Sequence, residues 1–243
     1  MAEHRDFFNQ HKPKSTTGIV DNILQVLPSD KHGTAIDLCC GTGHLVYQLT
    51  QQGYQAIGVD IADAHMGKDD AVEQAFIVAD VAATPLAAKS ATLVTFIDSL
   101  QYFEDPQHMI DETARLLSKD GYLIISCQNN YNLAGIKKWL IQRLTGKTWS
   151  PWLVHPVENF LLYPDIITML EASGYTVEYV RGKQFLTAWV SLLPAFVRHW
   201  TPWRDKPWRS LAAIASRVSL PTFIEESYLA RFAMITLIRA RKN

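Results

Sequence analysis

The chain has 243 residues, 48% of them hydrophobic and 19% charged, a composition that suits a folded protein with a sizeable core and excludes a disordered chain. No run reaches the ~18 apolar residues of a membrane span, and the opening MAEHRDFFNQHKPKS lacks the apolar stretch of a secretory signal, so the expected location is cytoplasmic. The net charge of −1 hides a division: residues 1–180 carry 12 Lys+Arg against 21 Asp+Glu, whereas residues 181–243 carry 11 against 3. All seven tryptophans lie between Trp139 and Trp208, so an acidic module precedes an aromatic and then basic one, as a cofactor module with a substrate-facing elaboration would.

In GIVDNILQVL, from Gly18, residues Ile19, Val20, Ile23, Leu24 and Leu27 share one helical face, with Thr16 or Thr17 as its cap and Pro28 closing it. TAIDLCC (34–40) reads as a short buried strand, and HLVYQLTQQG (44–53) as a helix ending at Gly53. YQAIGVD (54–60), FIVAD (76–80), ATLVTFI (91–97) and YLIIS (122–126) are further strands of the kind buried on both faces. QHMIDETARLLSKDG (107–121) predicts an amphipathic helix stopped by Gly121, and PDIITMLEASG (164–174) a helix with Pro164 in its first turn. YTVEYVR (175–181) and FAMITLIRAR (232–241) form a final strand pair around a long interruption.

Strands alternating with helices at this spacing are βαβ units. The expected class is therefore α/β: a doubly wound, mostly parallel sheet with an antiparallel final strand and a helical insertion. One domain over 1–243 is expected, with substrate-side or lid segments at 128–163 and 182–228.

The turn in AIDLCCGTGHL (35–45) sits where the first strand of such a sheet delivers a ligand site. Three occupants compete for it: a dinucleotide, a metal or redox centre, or a ligand without a pyrophosphate. Cys39-Cys40 lacks the spacing of a zinc or redox motif, so both thiols read as small packing residues and no metal is expected. A dinucleotide fingerprint needs a small residue at position 46, where this chain has Val46. What remains is Asp37-x-x-x-Gly41-x-Gly43, followed by Asp60 at the end of the second strand and Asp80 at the end of the third. A carboxylate in the first place can accept from both hydroxyls of a ribose, and an acceptor in the second can meet an exocyclic adenine amine. A lone strand-end aspartate more often caps a turn. Two of them ending successive strands after a glycine turn favour a ligand, while Asp37, inside its strand, reads equally as structural or functional.

On DLCCGTG (37–43), GVDI (58–61), ADVAATPL (79–86), LVTFIDSLQYFEDP (93–106) and ETARLLSKDGYLIIS (112–126), the chain resembles the class I S-adenosylmethionine-dependent methyltransferases. It is similar in particular to the small-molecule group that includes the ubiquinone and menaquinone biosynthesis enzymes. The resemblance covers residues 15–181 and implies a Rossmann-like methyltransferase fold with S-adenosyl-L-methionine as cofactor. It implies that Gly41 and Gly43 let the backbone approach the methionine moiety and that Asp37 supports the loop or the amino group. Asp60, with Ile61 after it, is implied for the ribose, Asp80 and the Val81 backbone for the adenine, and the backbone near Ile97 for the amino end. Two departures stand out: Cys39 replaces the first glycine of the usual GxGxG, and IADAHMGKDD (61–70) is less regular than usual.

Methyl transfer is a displacement that needs alignment and exclusion of water more than a catalytic triad. A hydroxyl or amine acceptor also needs a base, and His155 in SPWLVHPVENF is the first candidate, although it reads equally as a surface or lid histidine. Asp98 and Tyr102 follow the fourth strand and should face the transferred methyl group; Tyr102 and Phe103 also read as the apolar start of a helix. The motif Asn/Asp-Pro-Pro-Tyr, usual in methyltransferases of this fold that act on nucleic-acid bases, is replaced by IDSLQYF, so nucleic acid is disfavoured. From Lys183, an apolar run broken by Pro194 carries Trp189, Trp200, Trp203 and Trp208 among Arg198, Arg204, Lys206 and Arg209. This insertion reads as a packed core helix, as a lid, or as a peripheral contact with an anionic membrane. The expected activity is methylation of a small, apolar or lipid-linked acceptor. An RNA methyltransferase using the basic segment and a catalytically silent binding domain are the alternatives.

Overall fold

The computed structural model describes residues 17–29, 33–61, 76–146, 159–185 and 220–243. Helix α1 (Thr17–Gln25) leads into β1 (Thr34–Leu38), α2 (His44–Gln51), β2 (Gln55–Asp60), β3 (Phe76–Val78) and β4 (Ala91–Ile97). A 3-10 turn (Leu100–Tyr102) precedes α3 (Pro106–Leu116), β5 (Leu117–Gln128), α4 (Leu133–Thr145), α5 (Tyr163–Ala172) and β6 (Tyr175–Lys183). Short α6 (Thr222–Glu225), a second 3-10 turn (Tyr228–Phe232) and β7 (Ile235–Lys242) complete the described chain.

The seven strands form one sheet in the order β3-β2-β1-β4-β5-β7-β6. β7 runs antiparallel to both β5 and β6, and the pairings among β1 to β5 are parallel. Apolar residues of α1 and α2, among them Val20, Ile23, Val46 and Leu49, pack on one face with Ala35, Leu93 and Ile124. Met109, Ile110, Ile166 and Leu170 of α3 and α5 cover the other face with Ile36, Leu38 and Phe96. Both faces of the central strands are thus buried, which is why they read as continuous apolar runs. The doubly wound sheet with an antiparallel last strand agrees with the expectation from sequence.

Three local readings differ from expectation. The helix expected to run to Gly121 ends at Leu116, because Leu117 is buried as the strand partner of Ala91. The KDG signal instead makes a bulge in β5: the register jumps between Ala91 and Leu93, and Asp120 takes a left-handed φ of 63°. Thr17 lies within α1 and so is not its cap, while Thr16 is outside the described residues. Tyr102 belongs to a 3-10 turn, and α3 begins only at Pro106, capped by the Asp105 carboxylate accepting from His108 N–H at 3.0 Å.

Sequence order reverses between β1 and β4, so the chain after β1 opens at the topological switch point. There Gly43, at φ 81°, begins α2, and a side-chain carbon placed on it would lie 2.2 Å from Cζ of Phe76. Phe76 opens β3 opposite Gly58, where a similar carbon would meet the same ring at 2.7 Å. One phenyl ring thus fills the space that two glycines leave between the outer strands and α2. Gly43→Ala should cost about 2–4 kcal/mol, combining left-handed strain with overpacking. Denaturant unfolding of Gly43→Ala, Phe76→Leu and the double variant checks this: the double variant should recover part of the loss, and simple additivity would show that the ring is not what the alanine meets.

Candidate functional site

The carboxyl ends of β1 to β4 bring together the acids singled out from sequence. Cys39, half-buried just past β1, lies within electrostatic reach of Asp37, Asp60 and Asp80. It adopts a left-handed φ of 59°, and Gly41 a φ of 54°. That conformation is why a glycine is usual at position 39, and here the chain bears a strain of ~1–2 kcal/mol instead. Burial, then the neighbouring Asp60 carboxylate, push the Cys39 thiol well above its ordinary range, and Cys40 is raised by burial and then by Asp37. Both are neutral thiols that pack, not nucleophiles.

Asp60 turns back on the glycine turn: its Oδ2 accepts from the Gly41 N–H at 2.9 Å, and its carbonyl accepts from Ala79 N–H at 3.0 Å. The carboxylate that ends β2 therefore fixes the loop that ends β1. Ile61, half-buried, is the last described residue before 76. Asp80 closes an Asx-turn through Ala82 N–H, 2.9 Å from its Oδ1, and Val81 points into the core. This loop is pinned from α3, where Glu112 accepts from the Thr84 hydroxyl at 2.8 Å and His108 Nε2 lies 2.9 Å from the Ala82 carbonyl.

Asp37 is buried, and it accepts from the Thr95 hydroxyl of β4, its in-register partner, at 2.6 Å. Burial is the larger influence and the Thr95 bond the counterweight, and together with Asp60 they raise the Asp37 carboxyl to about 7. It stands beneath the turn, tying β1 to β4.

Past β4, half-buried Ile97 gives its carbonyl to the Ser99 hydroxyl at 2.9 Å. Asp98 has a left-handed φ of 52°, held by its N–H donating to the Ser126 carbonyl at 2.8 Å. Sequence reading missed Gln101 in this turn. Gln101 is 1% exposed, donates from Nε2 to the Asp98 carbonyl at 2.8 Å, and leaves its buried Oε1 without a partner among the described residues. Its carbonyl accepts from Asn159 N–H at 2.7 Å, and the Asn159 amide bonds the Phe103 carbonyl, so the chain entering α5 is stitched to the turn after β4. Asn129, equally unforeseen, donates to the carbonyls of Arg231 and Ala233 at 2.7 and 2.9 Å and accepts from the N–H groups of Tyr131 and Tyr163. No local sequence signal marks either residue, since the bonds that tie them to the rest of the fold reach 58 positions for Gln101 and 34 to 104 for Asn129. Half-buried Tyr102 ends the same turn as Asp98, whereas His155 and the tryptophan-rich insertion lie outside the described residues.

Neither Lys nor Arg occurs in residues 37–44, 60–61, 79–83 or 97–103, so the charge at the described strand ends is carried by carboxylates. Such carboxylates suit hydroxyls, an amine and a cation.

A profile of the methyltransferase domain family matches residues 8–180. The ubiquinone biosynthesis O-methyltransferase of Idiomarina loihiensis is 23% identical over 181 residues, 69% of this chain and 70% of that protein. The ubiquinone biosynthesis O-methyltransferase of Leptothrix cholodnii is 21% identical over 163 residues, 62% of this chain and 67% of that protein. Among solved structures, an S-adenosylmethionine-dependent methyltransferase of Thermotoga maritima superposes with a TM-score of 0.61 at 14% identity, covering 100% of this chain and 95% of its own. Geranyl diphosphate C-methyltransferase of Streptomyces coelicolor superposes at 0.60 with 14% identity, over 93% of this chain and 79% of its own. The chain belongs to the methyltransferase domain family and is a class I S-adenosylmethionine-dependent methyltransferase.

The buried Asp37 yields a pH signature. The folded protein keeps this proton up to about pH 7, whereas the unfolded chain releases it near 3.8, so between those values the unfolded state binds fewer protons and stability falls as pH rises. Asp37→Asn should flatten that fall while keeping an oxygen for Thr95. Urea unfolding of both proteins from pH about 4.5 to about 8 checks it; an unchanged slope would assign the titration to another group.

Proposed function

We propose that the protein methylates a small, apolar or lipid-linked acceptor. The single observation behind this reading is where the chain leaves its apolar surface. β4 ends at Ile97 in register with Ser126 of β5, and past the end of β5 at Gln128 α4 emerges with Leu133, Ile136, Trp139, Leu140 and Leu144 all substantially exposed. The ubiquinone-pathway names of the similar proteins point the same way. An acceptor approaching the turn after β4 would pass an apolar surface, whereas a polar acceptor would gain nothing from it.

The roles proposed for the chain follow from the donor set. Asp60 accepts from ribose hydroxyls, Asp80 and the Val81 backbone bind the adenine, and Gly41, Gly43 and the backbone at Ile97 cradle the methionine end. Ile61 lies against the nucleoside, and Asp37 holds β1 to β4 under the loop. The bound cofactor supplies an electrophilic methyl group on a sulfonium. The acidic strand ends favour that cation, and alignment within a closed cleft supplies most of the rate. Asp98 and Tyr102 orient the acceptor, and His155 is proposed as the base for a hydroxyl acceptor.

S-adenosylhomocysteine release, followed with prenylated catechols, with short polar phenols and with RNA as acceptors, tests the reading. Turnover should be highest with the prenylated compounds; preference for RNA would overturn it. Calorimetry should also find that Asp60→Ala weakens cofactor binding by about 10- to 100-fold, the loss of charge-assisted hydrogen bonds, while Cys39→Ala leaves it within about threefold. Equal affinity of Asp60→Ala and the parent would place the ribose elsewhere.

A further inference from the structure

We infer that α4 and the 3-10 turn before β7 form one docking surface for an anionic lipid bilayer. In α4 the aliphatic side chains Leu133, Ile136, Leu140 and Leu144 are between 48 and 75% exposed. At ~100° per residue they fall within an arc of about 80°, with Trp139 about 60° beyond it. A helix in a globular protein ordinarily turns such an arc inward, yet here it is small Ala134 and Gly135 that are buried. The second element adds Tyr228, Leu229 and Phe232, each at least 38% exposed. The two are one surface: Tyr131 stacks on Phe232 with ring centroids 5.4 Å apart, and the Asn129 amide bonds the Arg231 and Ala233 carbonyls.

Charge identifies the occupant. No acidic residue occurs in 129–146 or in 227–234, while Lys137, Lys138, Arg143 and Arg231 do, in a chain whose overall charge is −1. Arg231 lies 3.3 Å from the centroid of the Tyr228 ring, so its cation is carried on an aromatic at the surface. Exposed aliphatics bordered by tryptophan, tyrosine and basic groups match the boundary between lipid tails and anionic headgroups. A second copy fits poorly, because a twofold contact would set these cations against themselves. Single-stranded RNA fits poorly as well, since its recognition uses stacking rings and gains nothing from leucine and isoleucine.

The surface leaves the same edge of the sheet as the acidic strand ends, Gln128 of β5 pairing with Ile235 of β7. Docking there would bring the cleft mouth to the bilayer. That consequence rests on the lipid-linked acceptor proposed above, whereas the docking itself does not.

Co-sedimentation of the full chain with phosphatidylcholine vesicles, with and without about one-third phosphatidylglycerol, tests the surface without cofactor or acceptor. The parent should bind the anionic vesicles at low salt and lose about tenfold on neutral vesicles, at high salt, or when Lys137 and Arg143 are changed to glutamate. Leu140→Ser/Leu144→Ser should weaken binding several-fold with an unchanged melting temperature, both side chains being exposed. Equal binding by the parent and both variants would move the contact to another part of the chain and overturn the proposal. So would displacement of the protein from vesicles by single-stranded RNA at equal mass, or a patch-dependent dimer in sedimentation velocity. Because no turnover is measured, failure here leaves the methylation reading to its own assay.

Discussion

Everything at the active edge of this sheet depends on how closely the chain leaving β1 approaches β2 and β3. The approach is made by glycines and by one carboxylate. Gly41 gives its N–H to Asp60, and Gly43 and Gly58 leave room for the Phe76 ring. Asp60 is thus part of the scaffold as well as the residue proposed to meet the ribose, so a change there disturbs the loop proposed to carry the methionine end. Cys39 belongs to the same constraint, holding a conformation in which a glycine would be unstrained.

The second organising feature is electrostatic. Asp37, Asp60 and Asp80 all act on one thiol, and the strand ends offer no lysine or arginine to neutralise them. A cluster of this kind is costly unless some members are neutral or a cation shares the site. Asp37 meets the first condition by keeping its proton to about pH 7, and a sulfonium with its amino group would meet the second. The cleft and the surface around α4 are therefore of opposite sign, acidic where the cofactor is proposed to sit and basic where the bilayer is.

The side proposed for the substrate is organised from the last strand of the chain. β7 inserts between β5 and β6 and brings Arg231 and Ala233 to Asn129, which also fixes Tyr131 and Tyr163. The entry to α4 and the start of α5 thus converge on one buried amide. On the outermost strand, buried Glu225 accepts from Arg181 at 3.1 Å and from Lys183 at 2.6 Å, locking α6 onto β6. No helix among the described residues is long and apolar enough to cross a membrane.

The sequence by itself determined the α/β class, the strand spacing and the strand-end positions of Asp60, Asp80 and Asp98, because these follow from local periodicity and turn chemistry. The glycine turn was legible for the same reason. Tertiary structure decided what periodicity cannot encode. Leu117 is spent on strand pairing with Ala91 and not on a longer helix. Asp37 is joined to Thr95, 58 residues away, and Gln101 to Asn159. Phe76, legible from sequence only as the first residue of a strand, fills the space left by Gly43 and Gly58. In each case the partner comes from a distant strand or loop. Chain-local patterns report which face a residue prefers, and only the assembled sheet reports what it meets there.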